Sequence, residues 1–183
     1  MNVEMRPNGP FGPKGEDAIT LLEADHKRVR DLFSDIAKLE AREANVERKA
    51  SLVKQLCNEL EMHAVIEETI FYPAVRALID DEELMEEARA QHADIRKFVA
   101  ELEAMDFSSG LYDDTLALLQ EQVTHHISEE EEIMFPEARD AIADGVALGD
   151  QMAQRKVEMM VDTKASATAL RAASIQDALR EKS

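Results

Sequence analysis

The chain has 183 residues, enough for one domain with a sizeable core and too few to make two the natural reading. Apolar residues make up 45% and charged residues 33%, with six Gly, five Pro and no Trp, which is the composition of a helical protein and excludes a turn-rich sandwich of strands. A formal charge of −18 argues against nucleic acid or an anionic membrane surface as partner, since either would repel it, and favours attraction of cations.

Residues 1–16 carry three prolines and three glycines and read as an irregular N-terminal arm without the apolar run of a signal peptide. No segment approaches the roughly 18 apolar residues of a membrane span, so a cytoplasmic location is the expectation. The single cysteine, Cys57, excludes an internal disulfide and any Cys-x-x-Cys motif, and is expected as a buried helix residue.

Asp17 offers an N-cap, after which Ile19, Leu22, His26, Val29, Phe33 and Ile36 recur at steps of three and four, the stripe of a core-facing helix ending near Ala44 or Asn45. A second helix carries Leu52, Leu56, Leu60, His63, Glu67, Ile70 and Ala74, with Pro73 predicting a kink or a tightened turn. The run from Asp80 to Glu83 suits a turn and an acidic first helical turn, opening a third helix with Met85, Ala88, His92, Ile95, Val99 and Leu102. Residues 106–110 break the pattern, and a fourth helix follows with Leu116, Leu119, Val123, His126, Glu130 and Ile133, again with a late proline, Pro136. Gly145 and Gly149 flank a further break, beyond which Met152, Val157, Met159 and Met160 predict a weaker fifth helix, an appendage with thin apolar content.

Four helices of similar length on short connections run alternately up and down, so the fold expected is all-α: an up-down-up-down four-helix bundle over residues 17–145, with a C-terminal helical extension over 146–183. The bundle is also a tandem of two helical hairpins. His63, Glu67, Glu68, Tyr72 and Pro73 return as His126, Glu130, Glu131, Phe135 and Pro136, and His26 with Arg30 returns as His92 with Arg96.

Four of the five histidines thus sit in core stripes, one per helix, and two have a carboxylate one turn further on the same face. Burying six such groups without partners would cost about 1–3 kcal/mol each, and more for a carboxylate, against a total stability of about 5–15 kcal/mol. Cations are the economical compensation. Counted from the helix connections at about 1.5 Å per residue, His26, His63, Glu67, His92, His126 and Glu130 reach one height and form the candidate metal-ligating layer. His125 and Glu129 share the spacing, but their stripe is polar and His125 reads as a surface residue. Glu68 and Glu131, turned by about 100° from the proposed ligands, are outer acceptors or solvated, and Arg30 and Arg96 are their candidate ion-pair partners.

With those residues placed, the sequence resembles the haemerythrin-like family, the HHE cation-binding domain, over roughly residues 17–145: His26, then His63-x-x-x-Glu67-Glu68 with Phe71-Tyr72-Pro73, then His92, then His126-x-x-x-Glu130-Glu131 with Phe135-Pro136. The resemblance implies two non-haem irons, the histidines as terminal ligands and Glu67 and Glu130 bridging. It also implies a small ligand such as O2, NO or peroxide. This chain departs from the oxygen carriers at Arg96, where they have a further histidine, and at Glu130, where they have an aspartate one place later.

Three functions follow for test: a di-iron protein that binds or senses O2, NO, peroxide or iron, a di-iron enzyme that turns over peroxide or NO, and a metal-free helical interaction protein. Imidazole and carboxylate donors also suit Mn or Zn. The Glu-x-x-His spacing of ferritin-like enzymes occurs at Glu23 and His26 but is missing from the fourth helix. No output module is fused to the bundle, so a sensor would signal through a protein partner.

Overall fold

The computed structural model describes residues 15–40, 46–79, 81–107 and 109–180, with side chains described as far as Asp162. The arm expected at the N-terminus lies outside the described residues up to Lys14, as does the end of the first helix expected near Ala44 and Asn45. What is described is helix and turn, with no strand among the described residues. Nor is any helix among them long and apolar enough to cross a membrane.

Asp17 caps α1 (Ala18–Glu40), its Oδ1 accepting from the backbone N–H of Ile19 at 3.0 Å. α2 (Val46–Ile66) continues through a π-helical turn (Glu67–Phe71) into α3 (Tyr72–Arg76) as one rod. Asp81 caps α4 (Glu82–Ala104) by accepting from Leu84 N–H at 2.9 Å, and Glu82 and Glu83 occupy the positive end of the helix dipole. α5 (Tyr112–Glu129) repeats the pattern of α2, with a second π turn (Glu130–Met134) leading into α6 (Phe135–Ala141). α1 packs chiefly on α2, and α4 on α5, so the two hairpins of the repeat are the two halves of the bundle.

The prolines act differently from the kink or tightened turn expected. Pro73 and Pro136 have no N–H to give the carbonyl four residues back, and their rings crowd it. The preceding turn opens to i→i−5, with Tyr72 N–H bonded to Glu67 O and Phe135 N–H to Glu130 O. An opened turn adds one residue to the helical count. Beyond Glu67 and Glu130 the buried face therefore passes to Phe71, Tyr72 and Val75, and to Met134, Phe135 and Ala138. Ile133, expected in the core stripe, is exposed as a result.

The fifth helix also departs from expectation. α7 (Gly145–Arg180) packs along α1 and touches α2 and the first π turn. Leu148 and Met152 join the core cluster of Ala18, Leu22, Phe71, Tyr72 and Phe135, so the helix is docked on the bundle. Gly149 lies inside α7 and not at a break. A Cβ there would overlap the carbonyl oxygen of Glu16, so only glycine lets the two segments approach this closely.

The core is in two pieces. One cluster gathers Leu22, Ile66, Phe71, Val75, Met85 and Met134, and the other gathers Val29, Phe33, Leu56, Leu60, Ile95 and Val123. Cys57 belongs to the second, where burial and then Glu103 push its thiol up to about 11.

Gly149→Ala should lower stability by about 1–3 kcal/mol through overpacking against backbone. Gly110→Ala, with nothing within 4 Å of its added carbon, should leave the thermal midpoint in place. Because the folded thiol of Cys57 keeps its proton to higher pH than an ordinary thiol at about 9.0, its contribution to stability is complete below about pH 9 and is lost as pH rises through about 11. Urea titrations across that range should show a shallower alkaline fall for Cys57→Ala than for the native chain.

Candidate metal site

Between the two core clusters lies a polar layer made by the residues that the helical stripes predict. His26 stands on α1, His63 on α2, Glu67 at the start of the first π turn, His92 on α4, His126 on α5 and Glu130 at the start of the second π turn, all buried. The Nε2 atoms of His26 and His63 are 3.2 Å apart, and those of His92 and His126 are 3.0 Å apart. Glu67 Oε2 is 3.0 Å from His63 Nε2 and 3.2 Å from His92 Nε2. Glu130 Oε2 is 3.2 Å from His26 Nε2 and 3.3 Å from His126 Nε2. Each carboxylate therefore reaches from one imidazole pair to the other. Donor atoms of His63, Glu67, His92 and His126 all lie within 4.8 Å of one another, and so do those of His26, His63, Glu67 and Glu130.

The outward nitrogens are held by a second ring of partners, and these fix which nitrogen carries the proton. His26 Nδ1 donates to Glu131 Oε1 at 3.0 Å, and His92 Nδ1 donates to Glu68 Oε1 at 3.0 Å. His126 Nδ1 donates to Gln91 Oε1 at 2.9 Å, while the Gln91 amide N–H2 turns to Glu129. His63 Nδ1 faces Asp25 Oδ2 at 3.5 Å. A carboxylate or amide oxygen can only accept, so the neutral rings of His26, His92 and His126 carry their proton on Nδ1, and in that form each Nε2 presents a lone pair inward.

Glu131 is held by Arg30 through both guanidinium nitrogens, at 2.9 and 2.7 Å, and Glu68 by Arg96 at 2.8 and 3.1 Å. The two glutamates and two arginines that the sequence left between pairing and solvation are thus braces for His26 and His92. Arg96, in the place of a fifth core histidine, also reaches Glu61 at 3.1 Å and contributes nothing to the inner layer. His125 is exposed and pairs with Glu129 at 3.4 Å, outside the layer.

Sequence reasoning gave no role to Tyr72. Its hydroxyl donates to Glu130 Oε1 at 2.7 Å and lies 3.3 Å from Glu67 Oε2, and its ring stacks on His92 at 5.8 Å. Its counterpart in the repeat, Phe135, stacks on His26 at 5.4 Å and has no hydroxyl to offer. The one-residue phase shift of the π turn brings both rings inward.

Protons compete with any cation here. Burial alone would pull His63 down, but Glu67 and Asp25 outweigh it and hold the ring up at about 10. His126 goes the other way, to about 4, because burial dominates. Burial would raise Glu67, yet His63 and His92 keep it well below the ordinary carboxylate range. The bond from His92, with Arg96 behind it, holds Glu68 at about 2, and burial beside Glu67 and Glu130 drives the Tyr72 phenol well above its usual value.

The donor set fits a pair of metal ions. Glu67 Oε1 and Glu130 Oε2 are buried and accept no hydrogen bond from any described residue, a costly state for a carboxylate oxygen unless a cation meets it. Two ligand atoms at about 2.0–2.2 Å from one ion stand about 3 Å apart, which is the spacing of both imidazole pairs. Beside the layer a cavity of about 20 Å³, walled by Leu60, Ala64, Ile95 and Val99, by the rings of His63, His92 and His126 and toward the surface by Glu61 and Arg96, has room for one water-sized molecule.

Comparison with known proteins agrees with this geometry. Residues 17–180 match the family described as Hemerythrin HHE cation binding domain. The crystal structure of a Hemerythrin HHE cation binding domain-containing protein from Mycobacterium kansasii superposes with a TM-score of 0.67 at 27% identity, covering 78% of this chain and 86% of that one. A protein named DNA nickase, from Nostoc sp., is 24% identical over 127 residues, which are 67% of this chain and 34% of the nickase. This chain therefore spans about a third of that relative.

Tyr72→Phe removes the donor to Glu130 and leaves a buried carboxylate oxygen unpaired. In metal-free protein it should cost about 1–3 kcal/mol by urea denaturation. Tyr112→Phe, on a buried ring of the other core cluster at the start of α5, serves as the control for loss of a phenol outside the layer.

Proposed function

We propose that this chain, which belongs to the Hemerythrin HHE cation binding domain family, holds two non-haem irons in its buried layer and offers them to a molecule the size of O2, NO or peroxide. His26, His63, His92 and His126 would be the terminal ligands and Glu67 and Glu130 the bridges. The observation that carries the reading is the crosswise reach of the two carboxylates, each lying between one imidazole of each pair while an oxygen of each goes without a hydrogen bond. Iron is favoured over Mn or Zn by membership of the family, since imidazole and carboxylate donors accept all three.

Bound iron would supply an electron source and a binding position for a small ligand. The chain's own residues set the terms on which it does so. The outer acceptors hold the imidazoles of His26, His92 and His126 in one tautomer and one orientation, and Tyr72 keeps a proton within reach of Glu130 and Glu67. A cavity of about 20 Å³ beside the layer leaves room, without movement of side chains, for a molecule of only very few atoms.

Binding or sensing is our first reading, and turnover of peroxide or NO on the same site is the second, with Tyr72 as the group placed to move a proton. For the nickase resemblance, nicking is a property of a protein of which this chain matches only 34%, and the charge of −18 here disfavours a phosphate backbone as ligand.

Metal analysis of protein purified without chelator should give about two equivalents of iron, and the aerobic sample should show charge-transfer absorption absent after chelation. Saturating metal at about 100 times Kd stabilises a fold by about 2.7 kcal/mol. His63→Ala should remove most of that increment while costing the metal-free protein much less, measured as the thermal midpoint of each form. Equal losses in the two forms would count against ligation by His63, and a chain that takes up no metal would leave the reading as a helical interaction protein.

A further inference from the structure

The two hairpins repeat residue for residue around the site, so the places where they differ stand out. His26 and His92 are served alike, one by Glu131 with Arg30 and the other by Glu68 with Arg96. His63 and His126 are not. The group facing each comes from the residue just before the histidine on the neighbouring helix of its own hairpin: Asp25 before His26, and Gln91 before His92. One half of the site has a carboxylate at that point and the other a neutral amide.

The surroundings are built to keep that difference. Gln91 is locked by Glu129, which takes its N–H2 and leaves Oε1 for His126 at 2.9 Å. Asp25 is paired with Lys156, a buried lysine that α7 brings down onto α1. His63 Nδ1 is buried with no hydrogen-bond partner, and the nearest carboxylate oxygen, Asp25 Oδ2, stands at 3.5 Å, just beyond bonding reach.

We propose that Asp25, held by Lys156, is a positioning residue that gives the His26–His63 position a higher intrinsic affinity for a metal ion than the His92–His126 position. The proposal rests on the reading of the layer as a two-metal site. A cation on His63 Nε2 draws electron density from the ring and turns Nδ1–H into a stronger donor. A carboxylate acceptor answers that change more than an amide oxygen does, because the bond is charge-assisted. Closing the last few tenths of an ångström between Asp25 and His63 needs only a small side-chain shift. Lys156 pairs with the carboxylate and holds it in place, which makes α7 part of the ligand support.

The test is an anaerobic calorimetric titration of metal-free, full-length protein with ferrous ion, repeated in buffers of different ionisation enthalpy so that the constants compared are corrected for the protons released on binding. The native chain should show two resolved steps. Asp25→Asn gives the first half the amide type of acceptor found in the second, and should weaken the tighter step by about 10–100-fold, bringing the steps together. Gln91→Glu should strengthen the weaker step toward the tighter one, and it keeps the question open to test if Asp25→Asn folds poorly. A purely structural role for Asp25 would lower the thermal midpoint of metal-free protein while leaving the ratio of the two binding constants unchanged. An unchanged ratio in both variants, or two equal steps in the native chain, overturns the proposal. Absence of any ferrous binding in the native chain would instead defeat the two-metal reading beneath it.

Discussion

Six Lewis-basic side chains meet in one buried plane, and the bundle is arranged around keeping them there. The plane cuts the hydrophobic core in two, so the layer where apolar packing would contribute most is given to imidazole and carboxylate instead. Each such group forfeits hydration on burial and must recover it from a partner. The outward nitrogens of His26 and His92 and the carboxylates of Glu131 and Glu68 recover it from each other and from arginine. The inward lone pairs face a common centre, which a cation satisfies and apolar side chains do not. This also accounts for the opposite behaviour of two neighbouring histidines. His63 has carboxylates on both edges that outweigh its burial and push it up, while for His126 burial dominates and pushes it down.

The π turns are the second device. Each begins at a proposed bridging glutamate and ends just before a proline, so the widening of the helix falls where the ligand must reach furthest across the bundle. The same widening rotates an aromatic ring inward one step later. Tyr72 from the first hairpin then covers His92 of the second, and Phe135 from the second covers His26 of the first. Glu131 and Glu68 cross over in the same sense to brace those two rings.

The fold and the inner layer were legible because they follow from period and spacing. Four stripes with a step of 3.6, four histidines at one height and two carboxylates one turn on leave few alternatives. The reading failed where a single residue changed the phase. Pro73 and Pro136 signalled a disturbance, but a straight helical wheel carried past them puts Ile133 inside, when it is Phe135 that turns in. The outer ring was half legible: the arginines and glutamates were candidates, but nothing in the spacing said that Glu131 would be recruited and not left in water. Asp25 and Gln91 were missed although they sit at matching positions of the repeat, because their roles depend on facing a neighbouring helix. Lys156 and the docking of α7 could not be seen in a stripe so thin in apolar residues, since the helix is held by Leu148, Met152 and the missing side chain of Gly149.

The crossing of aromatic rings and braces between hairpins has a geometric meaning. Neither hairpin finishes its own half of the site, and each closes the other's, as two subunits do across an isologous interface. A single hairpin folded against its own copy would supply four imidazoles, two bridging glutamates and two guanidinium braces. It would also be obliged to treat both ions identically. Joining the halves in one polypeptide lifts that obligation, and a hydroxyl on one ring but not its mate, and an acid on one flank opposite an amide on the other, are freedoms that a symmetric pair of chains could never have.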